Sequence, residues 1–293
     1  MKTVQNPLLM VMLGALVACS EPTPQSSDTA DQITPAARYD IVLRGGVLYN
    51  GADQPPREGD LAIVGNRIAA VGDLGDYEAD YILDVDGLAV TPGFIDIHSH
   101  AYSDNPTEGI LAWPDAENLI RQGVTTVIGG NDGSSPLPLE EHFAEIAALP
   151  PAINFGSFVG HGSIRGLIVG EDDRPATEEE MELMREQVAI GMQQGAFGLS
   201  SGLIYTPGRF GSTEEVIALA RVAGEYGGMY ISHMRDEGLG LLDSVAETIR
   251  IGEEGGLPTQ LTHHKVVGAP MWGRSEESLR MVDEAIARGV DVS

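Results

Sequence analysis

Four histidines in this 293-residue chain stand where their side chains could share a metal ion. His98 and His100 are two residues apart at the end of an apolar run, so on an extended strand both side chains project from the same face. His233 and His263 each end a later apolar run. Imidazole nitrogens bind zinc at about 2 Å, whereas a single histidine at a strand end more often has a structural role. The pattern therefore predicts a metal centre, provided that the fold gathers these strand ends.

Asp132 ends a further apolar run and is the candidate carboxylate ligand. Its carboxylate could bind one metal ion or bridge two. Because Gly133 follows it, a structural role in an Asx turn fits the same residue equally well. The residue types leave open whether such a site holds one ion or two.

Three other histidines are expected to play lesser parts. His161 follows the third apolar run and could either line a pocket or hold a loop. His264 comes directly after His263, so strand alternation points it away from the site. His142 lies in a helical stretch beside two glutamates, and we expect it to be exposed to solvent.

The elements that must position these residues follow from the hydrophobic pattern over residues 92–293. Apolar strand-like runs alternate with amphipathic helical stretches, and successive runs begin roughly 30 to 45 residues apart, which fits one strand and one helix per step. Capping-box pairs mark two helix starts, at Thr177 with Glu180 and at Ser212 with Glu215. The runs begin near Phe94, Val124, Ile153, Phe197, Met229, Pro258 and Val290.

Seven strand starts favour a TIM-like (β/α)8 barrel. A doubly wound sheet shows the same alternation, but it usually carries a glycine-rich phosphate loop after its first strand, and the sequence has none there. In a barrel the C-terminal strand ends meet at one face, which would gather the four histidines. The sequence stops inside the seventh run, so we expect an incomplete barrel with strands 1 to 6 and the start of 7, truncated at its C-terminus. A smaller open α/β fold is the alternative.

The region before the barrel has a different pattern. Residues 38–91 contain short β-rich runs separated by glycine turns, and Gly65-Asn66 has the form of a hairpin turn. We expect a small β-sandwich domain over these residues.

The N-terminus has the pattern of an exported lipoprotein. Residues 1–18 combine Lys2 with small residues and an apolar run too short to span a bilayer, which indicates a signal peptide. The order Leu16-Val17-Ala18-Cys19 resembles a lipobox, in which Cys19 becomes the acylated first residue. Residues 19–37 suit a flexible tether. We expect a lipid anchor in the bacterial cell envelope, with the periplasmic face favoured; an ordinary signal peptide with an incidental cysteine is the alternative.

The charge balance excludes some classes of partner. The chain has 17 Lys+Arg against 44 Asp+Glu, a net charge of −27, so its surface repels phosphate polymers and anionic lipid. We expect no nucleic-acid partner, and contact with a membrane only through the lipid anchor. Its single cysteine cannot form an internal disulfide. The charge balance does not indicate what binds instead; a small-molecule substrate is expected from the motifs rather than from the composition.

The stretch over residues 88–100, in which a Pro-Gly turn leads into a strand ending His-x-His, resembles the first barrel strand of the amidohydrolase superfamily. Within that superfamily the likeness is to the D-aminoacylases, also called N-acyl-D-amino-acid deacylases, and it runs from about residue 39 to the end. Its most specific mark is the Ser-Ser-Gly-Leu-x-Tyr-x-Pro-Gly stretch at 200–208. The other matching stretches are 123–127, 232–235 and 262–265.

The resemblance implies roles for individual residues. The four strand-end histidines would be zinc ligands, and the substrate carboxylate would be held by Lys265, Tyr205 and Arg235. The family usually has a cysteine where this chain has Asp132, which leaves one or two zinc ions open. The general base of the family is an aspartate at the end of the eighth strand, which would lie beyond Ser293. We therefore expect the 293-residue chain alone to be inactive or unstable.

The reaction that the resemblance implies is zinc-dependent hydrolysis of a linear amide, from an N-acyl-D-amino acid to a carboxylate and a D-amino acid. One alternative keeps the metal site but acts on a cyclic amide, as dihydroorotase-like and hydantoinase-like relatives do. Another is a metal-dependent binding lipoprotein without catalysis, because the fold alone does not decide function.

Overall fold

The structure is a computed structural model of the chain, and it describes residues 36–52, 54–102 and 107–293. The backbone contacts divide the chain into two units, Met1–Thr91 and Pro92–Ser293. The predicted signal peptide, Cys19 and nearly all of the predicted tether lie outside the described residues. In the part of the chain that is described, no helix is both long enough and apolar enough to cross a membrane.

The described residues of the first unit form one mixed sheet. Its strands are β1 (Ala37–Leu48), β2 (Arg57–Val64), β3 (Arg67–Gly72), β4 (Tyr77–Asp84) and β5 (Ala89–Val90). The order is β3-β2-β1-β4, with β5 also paired to β1; β2 runs antiparallel to both of its neighbours, and β4 and β5 run parallel to β1. Val42 and Ala62 are partners across β1 and β2 and are fully buried.

Three predicted features of this unit can be compared with the structure. The first strand begins at Ala37, one residue before the predicted start of the domain. The described residues form a single sheet, so the second sheet that a sandwich requires stays a prediction. The predicted hairpin joins β2 and β3, and Gly65 occupies its turn with a φ of 60°, a value that glycine adopts without a steric penalty.

The second unit is built on parallel strands. They are β6 (Phe94–Asp96), β7 (Val124–Gly129), β8 (Asn154–Ser157), β9 (Val159–Gly160), β10 (Gly198–Gly202), β11 (Met229–His233) and β12 (Thr259–Leu261). They pair in the orders β6-β7-β8 and β9-β10-β11-β12. The predicted α/β class with parallel sheets is confirmed. The first six predicted starts lie within one residue of an observed strand start, and the seventh run contributes a parallel bridge between Thr259 and Val292.

Helices alternate with these strands along the chain. They are α1 (Gly109–Ala112), α2 (Glu117–Ile120), α3 (Leu139–Ala148), α4 (His161–Ile168), α5 (Glu178–Gln193), α6 (Thr213–Glu225), α7 (Leu241–Gly255) and α8 (Ser275–Ala287). The largest buried apolar cluster joins helices α4 to α7 to strands β9 to β11, with Val159, Leu199, Val216 and Tyr230 among its fully buried members. This packing fixes the directions of the strands, and therefore the positions of the groups at their C-terminal ends.

The two predicted capping pairs have different outcomes. Thr177 and Glu180 form the full capping box at the start of α5, because each side chain accepts a hydrogen bond from the other residue's backbone N–H. At the start of α6, Ser212 accepts from the backbone N–H of Glu215, but the Glu215 carboxylate is used elsewhere.

Candidate metal centre

The ends of three strands bring the four predicted histidines together. His98 and His100 follow β6, and their Nε2 atoms lie 3.3 Å apart. His233 is the last residue of β11 and His263 follows β12, and the His233 Nδ1 atom lies 2.9 Å from the His263 Nε2 atom. The rings of His98 and His263 connect the two pairs, with ring centroids 5.0 Å apart. The sequence therefore predicts this gathering of side chains correctly.

Asp132 lies between the two histidine pairs. One oxygen, Oδ2, is 3.5 Å from His98 Nε2 and 3.2 Å from His100 Nε2. The other, Oδ1, is 3.5 Å from His233 Nδ1 and 3.8 Å from His263 Nε2. The Asp132 Oδ1 atom is buried and has no hydrogen-bond partner among the described residues. The carboxylate thus presents one oxygen to each pair of imidazoles, which is the geometry of a bridging ligand.

These distances fit metal coordination. Donor atoms about 2.1 Å from a tetrahedral zinc ion lie about 3.4 Å from one another. The trio of His98, His100 and Asp132 Oδ2 has separations of 3.2 to 3.5 Å. The trio of His233, His263 and Asp132 Oδ1 has separations of 2.9 to 3.8 Å. The donor set therefore has the chemistry and the spacing for two ions that share the Asp132 carboxylate.

Electrostatics favours the cation-binding forms of His233 and Asp132. Burial lowers the pKa of His233 against the opposing pull of Glu237 and Asp132, which favours the neutral imidazole. Burial by itself would raise the pKa of Asp132, but a hydrogen bond with His98 and the charges of the surrounding histidines hold that pKa below its ordinary value.

Two of the donor residues have a strained backbone. Asp132 and His263 have φ angles of 55° and 38°, in the left-handed region that non-glycine residues seldom occupy. Next to Asp132, Gly130 approaches its neighbour so closely that a Cβ atom there would lie 2.2 Å from the Phe158 carbonyl oxygen. Strain of this kind persists only where the surrounding structure enforces it, and it clusters at functional sites.

Glu237 is a member of the site that sequence reasoning missed. It lies in the loop after β11, four residues beyond His233, and its side chain is only 7% exposed. Its Oε1 atom is 3.1 Å from His263 Nδ1 and its Oε2 atom is 3.7 Å from His233 Nε2, and it also accepts a hydrogen bond from Lys265. A weak signal was present, because metal-binding histidines usually pair their second ring nitrogen with a carboxylate or carbonyl oxygen, and Glu237 is an acidic residue close to His233 in sequence.

The three residues expected to hold a substrate carboxylate lie in different surroundings. The Tyr205 hydroxyl is 3.3 Å from His233 Nδ1, and burial together with the nearby carboxylates raises the pKa of this phenol. Lys265 Nζ lies 3.0 Å from His263 Nδ1, on the other side of that ring from the Asp132 carboxylate. Tyr205 and Lys265 are therefore both placed beside the histidines.

Arg235 is engaged elsewhere. Its guanidinium pairs with Glu247 at 2.9 Å and donates to the carbonyl oxygens of Arg209 and Gly211 at 2.8 and 3.0 Å. These bonds tie the loop after β11 to α7 and to the segment before α6. Its role in binding a substrate stays a prediction.

A cavity of about 710 Å³ opens beside the histidines. His100, Asp132 and Tyr205 lie in its wall, and most of the remaining wall is glycine, serine and proline. These remaining residues include Ser99, Gly130, Gly133, Ser134, Ser135, Pro136, Gly162, Ser163, Gly202, Pro207 and Gly208. The cavity is large enough for a small-molecule ligand, and its polar wall is suited to one with several hydrogen-bonding groups.

The other histidines lie outside the centre. His161 is fully buried and its Nε2 atom lies 2.8 Å from Glu215 Oε1. Of the two predicted roles, this contact favours the structural one over lining the pocket. His264 points away as expected, with Nε2 3.0 Å from Ser278 Oγ. The prediction that His142 is exposed is wrong: the residue is 3% exposed, because it packs edge-on against the rings of Tyr102 and Phe155.

Comparison with known proteins identifies the relatives of this chain. No protein-family model matches it. It is 41% identical over 273 residues to a D-aminoacylase of Alcaligenes xylosoxydans xylosoxydans, an alignment that covers 85% of this chain and 55% of the relative. The chain is a homologue of the D-aminoacylases. An N-acyl-D-glutamate deacylase of the same organism is 35% identical over 278 residues, with 87% of this chain and 56% of the relative covered. The chain therefore spans about half the length of the curated relatives that it matches.

Solved structures agree with this relationship. A crystal structure of N-acyl-D-glutamate deacylase from Bordetella bronchiseptica, in complex with zinc and a phosphonate inhibitor, superposes with a TM-score of 0.80 at 34% identity, covering 87% of this chain and 58% of that one. A crystal structure of a D-aminoacylase gives a TM-score of 0.79 at 37% identity, covering 87% of this chain and 57% of that one. An L-hydantoinase from Arthrobacter aurescens, at 16% identity and a TM-score of 0.60, shares the fold alone.

Proposed function

We propose that the protein carrying this chain is a zinc-dependent amidohydrolase that cleaves the linear amide of N-acyl-D-amino acids. The observation that carries the proposal is the carboxylate of Asp132, which presents one oxygen to His98 and His100 and the other to His233 and His263. The relatives named D-aminoacylase and N-acyl-D-glutamate deacylase, at 41% and 35% identity, give the substrate class.

The five donor residues would hold one zinc ion in each trio, with Asp132 shared between them. A solved D-aminoacylase relative is described with a binuclear metal centre, which supports two positions in this chain as well. Zinc at such a site polarises the amide carbonyl and lowers the pKa of a bound water to about 7.

The side chains of this chain bind and orient the substrate. The raised pKa of Tyr205 keeps its phenol protonated at neutral pH, so its hydroxyl can donate a hydrogen bond to a substrate carboxylate in the cavity that it lines. Lys265 supplies a positive charge beside the same histidines, and its bond to Glu237 holds the ammonium in place. Glu237 Oε1 also lies 3.1 Å from His263 Nδ1, on the side of the ring opposite to the Nε2 atom that faces the Asp132 carboxylate.

The test has a binding arm and an activity arm. In the binding arm, metal-free 293-residue chain is titrated with zinc; we expect up to two ions for each chain, and no saturable binding would contradict the proposal. In the activity arm, the protein encoded by the complete gene is incubated with N-acetyl-D-methionine and its L-enantiomer. We expect free D-methionine to be released and the L-form to be spared; cleavage of neither compound would overturn the proposal.

The alternatives predict other products. A cyclic amidohydrolase would open dihydrouracil or a hydantoin while leaving the linear amide intact. A metal-dependent binding lipoprotein would bind zinc and ligand without turnover. Chromatography of both substrate types after incubation separates these outcomes, since each leaves a different set of products.

We also propose that the parallel strands of the second unit belong to a (β/α)8 barrel. This chain would contain barrel strands 1 to 6 and the start of strand 7. The bridge between Thr259 and Val292 supports a further parallel strand next to β12. The proposal for residues 38–91 remains a β-sandwich. A crystal structure of the protein encoded by the complete gene tests both: a ring of eight strands and a second sheet packed on the first are expected, and an open sheet in either place would contradict the assignment.

Export and lipid anchoring are also proposed, from the pattern of residues 1–37 and the lipobox-like order before Cys19. In bacterial cells grown with a labelled fatty acid, we expect label on the protein and its recovery with the membrane fraction. The variant Cys19→Ala should lose the label. Equal labelling of the variant, or an unlabelled wild type, would overturn the anchor.

A further inference from the structure

A second cavity, of about 390 Å³, opens beside the metal centre. It lies between the end of β6 and the short helices α1 and α2, in the loop that follows the first strand of the parallel sheet. Its described wall is largely apolar and consists of His100, Ala101, Gly109, Ile110, Trp113, Ala116, Asn118 and Leu119. Apart from His100, the residues of this wall take no part in the proposed chemistry of the metal centre.

The wall has a defined structure. The Ile110 backbone N–H donates to the Ala101 carbonyl oxygen at 2.6 Å, which ties α1 to the strand end that carries His100. Ile110 and Ala116 are only 4% and 3% exposed, so they form a packed floor. Trp113 is 71% exposed and stands at the rim. Ala116 has a left-handed φ of 46°, a strained conformation for a residue with a Cβ atom, and the surrounding structure enforces it.

Among the described residues, the walls of the two cavities share one. His100 lines both the apolar cavity and the polar cavity of about 710 Å³ that also contains Asp132 and Tyr205. An amide has two substituents, one on the carbonyl carbon and one on the nitrogen. Suppose that the substrate carboxylate binds beside Tyr205 in the polar cavity and that the amide carbonyl lies near His100 and Asp132. The acyl substituent on that carbonyl then points toward the apolar cavity.

We infer that the cavity lined by Ala101, Ile110, Trp113 and Leu119 binds the acyl chain of the substrate, and that the protein prefers N-acyl-D-amino acids with medium-length aliphatic acyl groups over N-acetyl ones. This inference rests on the proposed function, since it places the two halves of a linear amide. A fully buried methylene improves affinity roughly fourfold. Because Trp113 leaves one side of the cavity open, we expect a smaller gain for each methylene and a total gain of at least about tenfold between acetyl and octanoyl.

Tryptophan fluorescence gives a direct test. The chain has two tryptophans, Trp113 and Trp272, so the variant Trp272→Phe makes Trp113 the sole tryptophan. The zinc-loaded Trp272→Phe variant of the 293-residue chain is titrated with ketomethylene isosteres of N-acetyl- and N-octanoyl-D-leucine. In these compounds a methylene replaces the amide nitrogen, so that there is no amide bond to hydrolyse. We expect the octanoyl compound to shift Trp113 emission to shorter wavelength and to bind at least about tenfold more tightly than the acetyl compound.

A matched pair of variants locates the binding. Trp272 is 74% exposed and Trp113 is 71% exposed, so both can be replaced by alanine without opening the core. By calorimetry, Trp113→Ala should reduce the ratio of octanoyl to acetyl affinity at least about threefold, whereas Trp272→Ala should leave that ratio unchanged. Equal affinities for the two isosteres in the wild type would overturn the inference, as would equal effects of the two variants.

A third ligand separates the acyl chain from the amino-acid side chain. In the isostere of N-acetyl-D-2-aminodecanoic acid, the long chain is moved from the acyl position to the side chain. If this compound shows the same dependence on Trp113, the cavity binds the side chain and the inference is wrong. The binding result is also independent of turnover: selective acyl binding without hydrolysis of any N-acyl-D-amino acid would retain the subsite and refute the proposed function.

Discussion

Replacing Glu215 is expected to destabilise the Pro92–Ser293 unit, because its carboxylate is one member of a buried ionic cluster. Glu215 Oε1 lies 2.8 Å from His161 Nε2, and Oε2 lies 2.5 Å from Arg165 Nη1. The side chains of His161 and Arg165 are 0% exposed and that of Glu215 is 4% exposed. Arg165 also donates to the carbonyl oxygen of Arg174. The cluster thus joins the start of α4 to the first turn of α6.

The magnitude follows from what each substitution leaves behind. In Glu215→Ala the Arg165 guanidinium stays charged and loses its carboxylate partner, and removing one partner of a buried ion pair typically costs about 3–5 kcal/mol. In Glu215→Gln the shape and one hydrogen bond can remain, so we expect a loss of about 2 kcal/mol. With a urea dependence of about 1–3 kcal/mol/M, the alanine variant should unfold at a midpoint lower by about 1 M or more.

The pH dependence gives a second, independent signature. Burial would raise the pKa of Glu215, but the hydrogen bond to His161 and the charges of His161 and Arg165 outweigh it and hold the pKa below its ordinary value. A depressed folded-state pKa contributes stability that is fully present above the unfolded-state pKa of about 4.3 and is lost as the pH falls through the folded-state pKa. The stability difference between wild type and Glu215→Gln should therefore shrink below about pH 4.

The assay is urea unfolding followed by circular dichroism at several pH values. The neighbouring residue Glu214 supplies the control: its side chain is 70% exposed and pairs with Arg250 at 3.1 Å, so Glu214→Gln should leave the midpoint almost unchanged. If Glu215→Ala lies within about 0.5 kcal/mol of wild type at neutral pH, or if the difference between wild type and Glu215→Gln does not change with pH, the reasoning about the buried cluster is refuted.

Three further predictions concern the metal centre and a helix start. Asp132→Asn removes the shared anionic ligand, so the zinc content measured after dialysis should fall below that of wild type; full retention of both ions would contradict the bridging geometry. Glu237→Gln should weaken zinc binding about tenfold to a hundredfold in a chelator competition, because the carboxylate orients His263. An unchanged zinc affinity would show that Glu237 serves only as the ion-pair partner of Lys265. Thr177→Ala removes the side-chain cap of α5 and should cost about 1 kcal/mol in urea unfolding, whereas a cost near zero would show that the capping box contributes nothing.

The strand pattern of the second unit could be predicted from the sequence alone. Parallel strands covered on both faces contain continuous apolar runs, and the helix that follows each strand sets a regular interval between runs. The starts of β6 and β11, at Phe94 and Met229, coincide with the predicted positions. The gathering of His98, His233 and His263 follows from the same reasoning, since the C-terminal ends of neighbouring parallel strands meet at one edge.

Contacts between residues distant in sequence could not be predicted in this way. The Ser212–Glu215 pattern predicts a reciprocal capping box, yet the Glu215 carboxylate turns to His161 and Arg165, which stand 54 and 50 positions earlier. A local pattern contains no information about such partners. His142 failed as a prediction for the same reason: its neighbours along the helix are acidic, but the rings that cover it, such as Phe155, come from other segments.

The backbone at the centre shows why site and fold depend on each other. Local preference disfavours the left-handed conformations of Asp132 and His263, so tertiary contacts must enforce them. Gly202 in β10 is one source of that constraint: a Cβ atom there would lie 2.1 Å from the Asp132 carbonyl oxygen, so only glycine lets the Asp132 loop lie against the strand. The glycine of the Ser-Ser-Gly stretch is therefore required by the metal-site loop rather than by the strand that contains it.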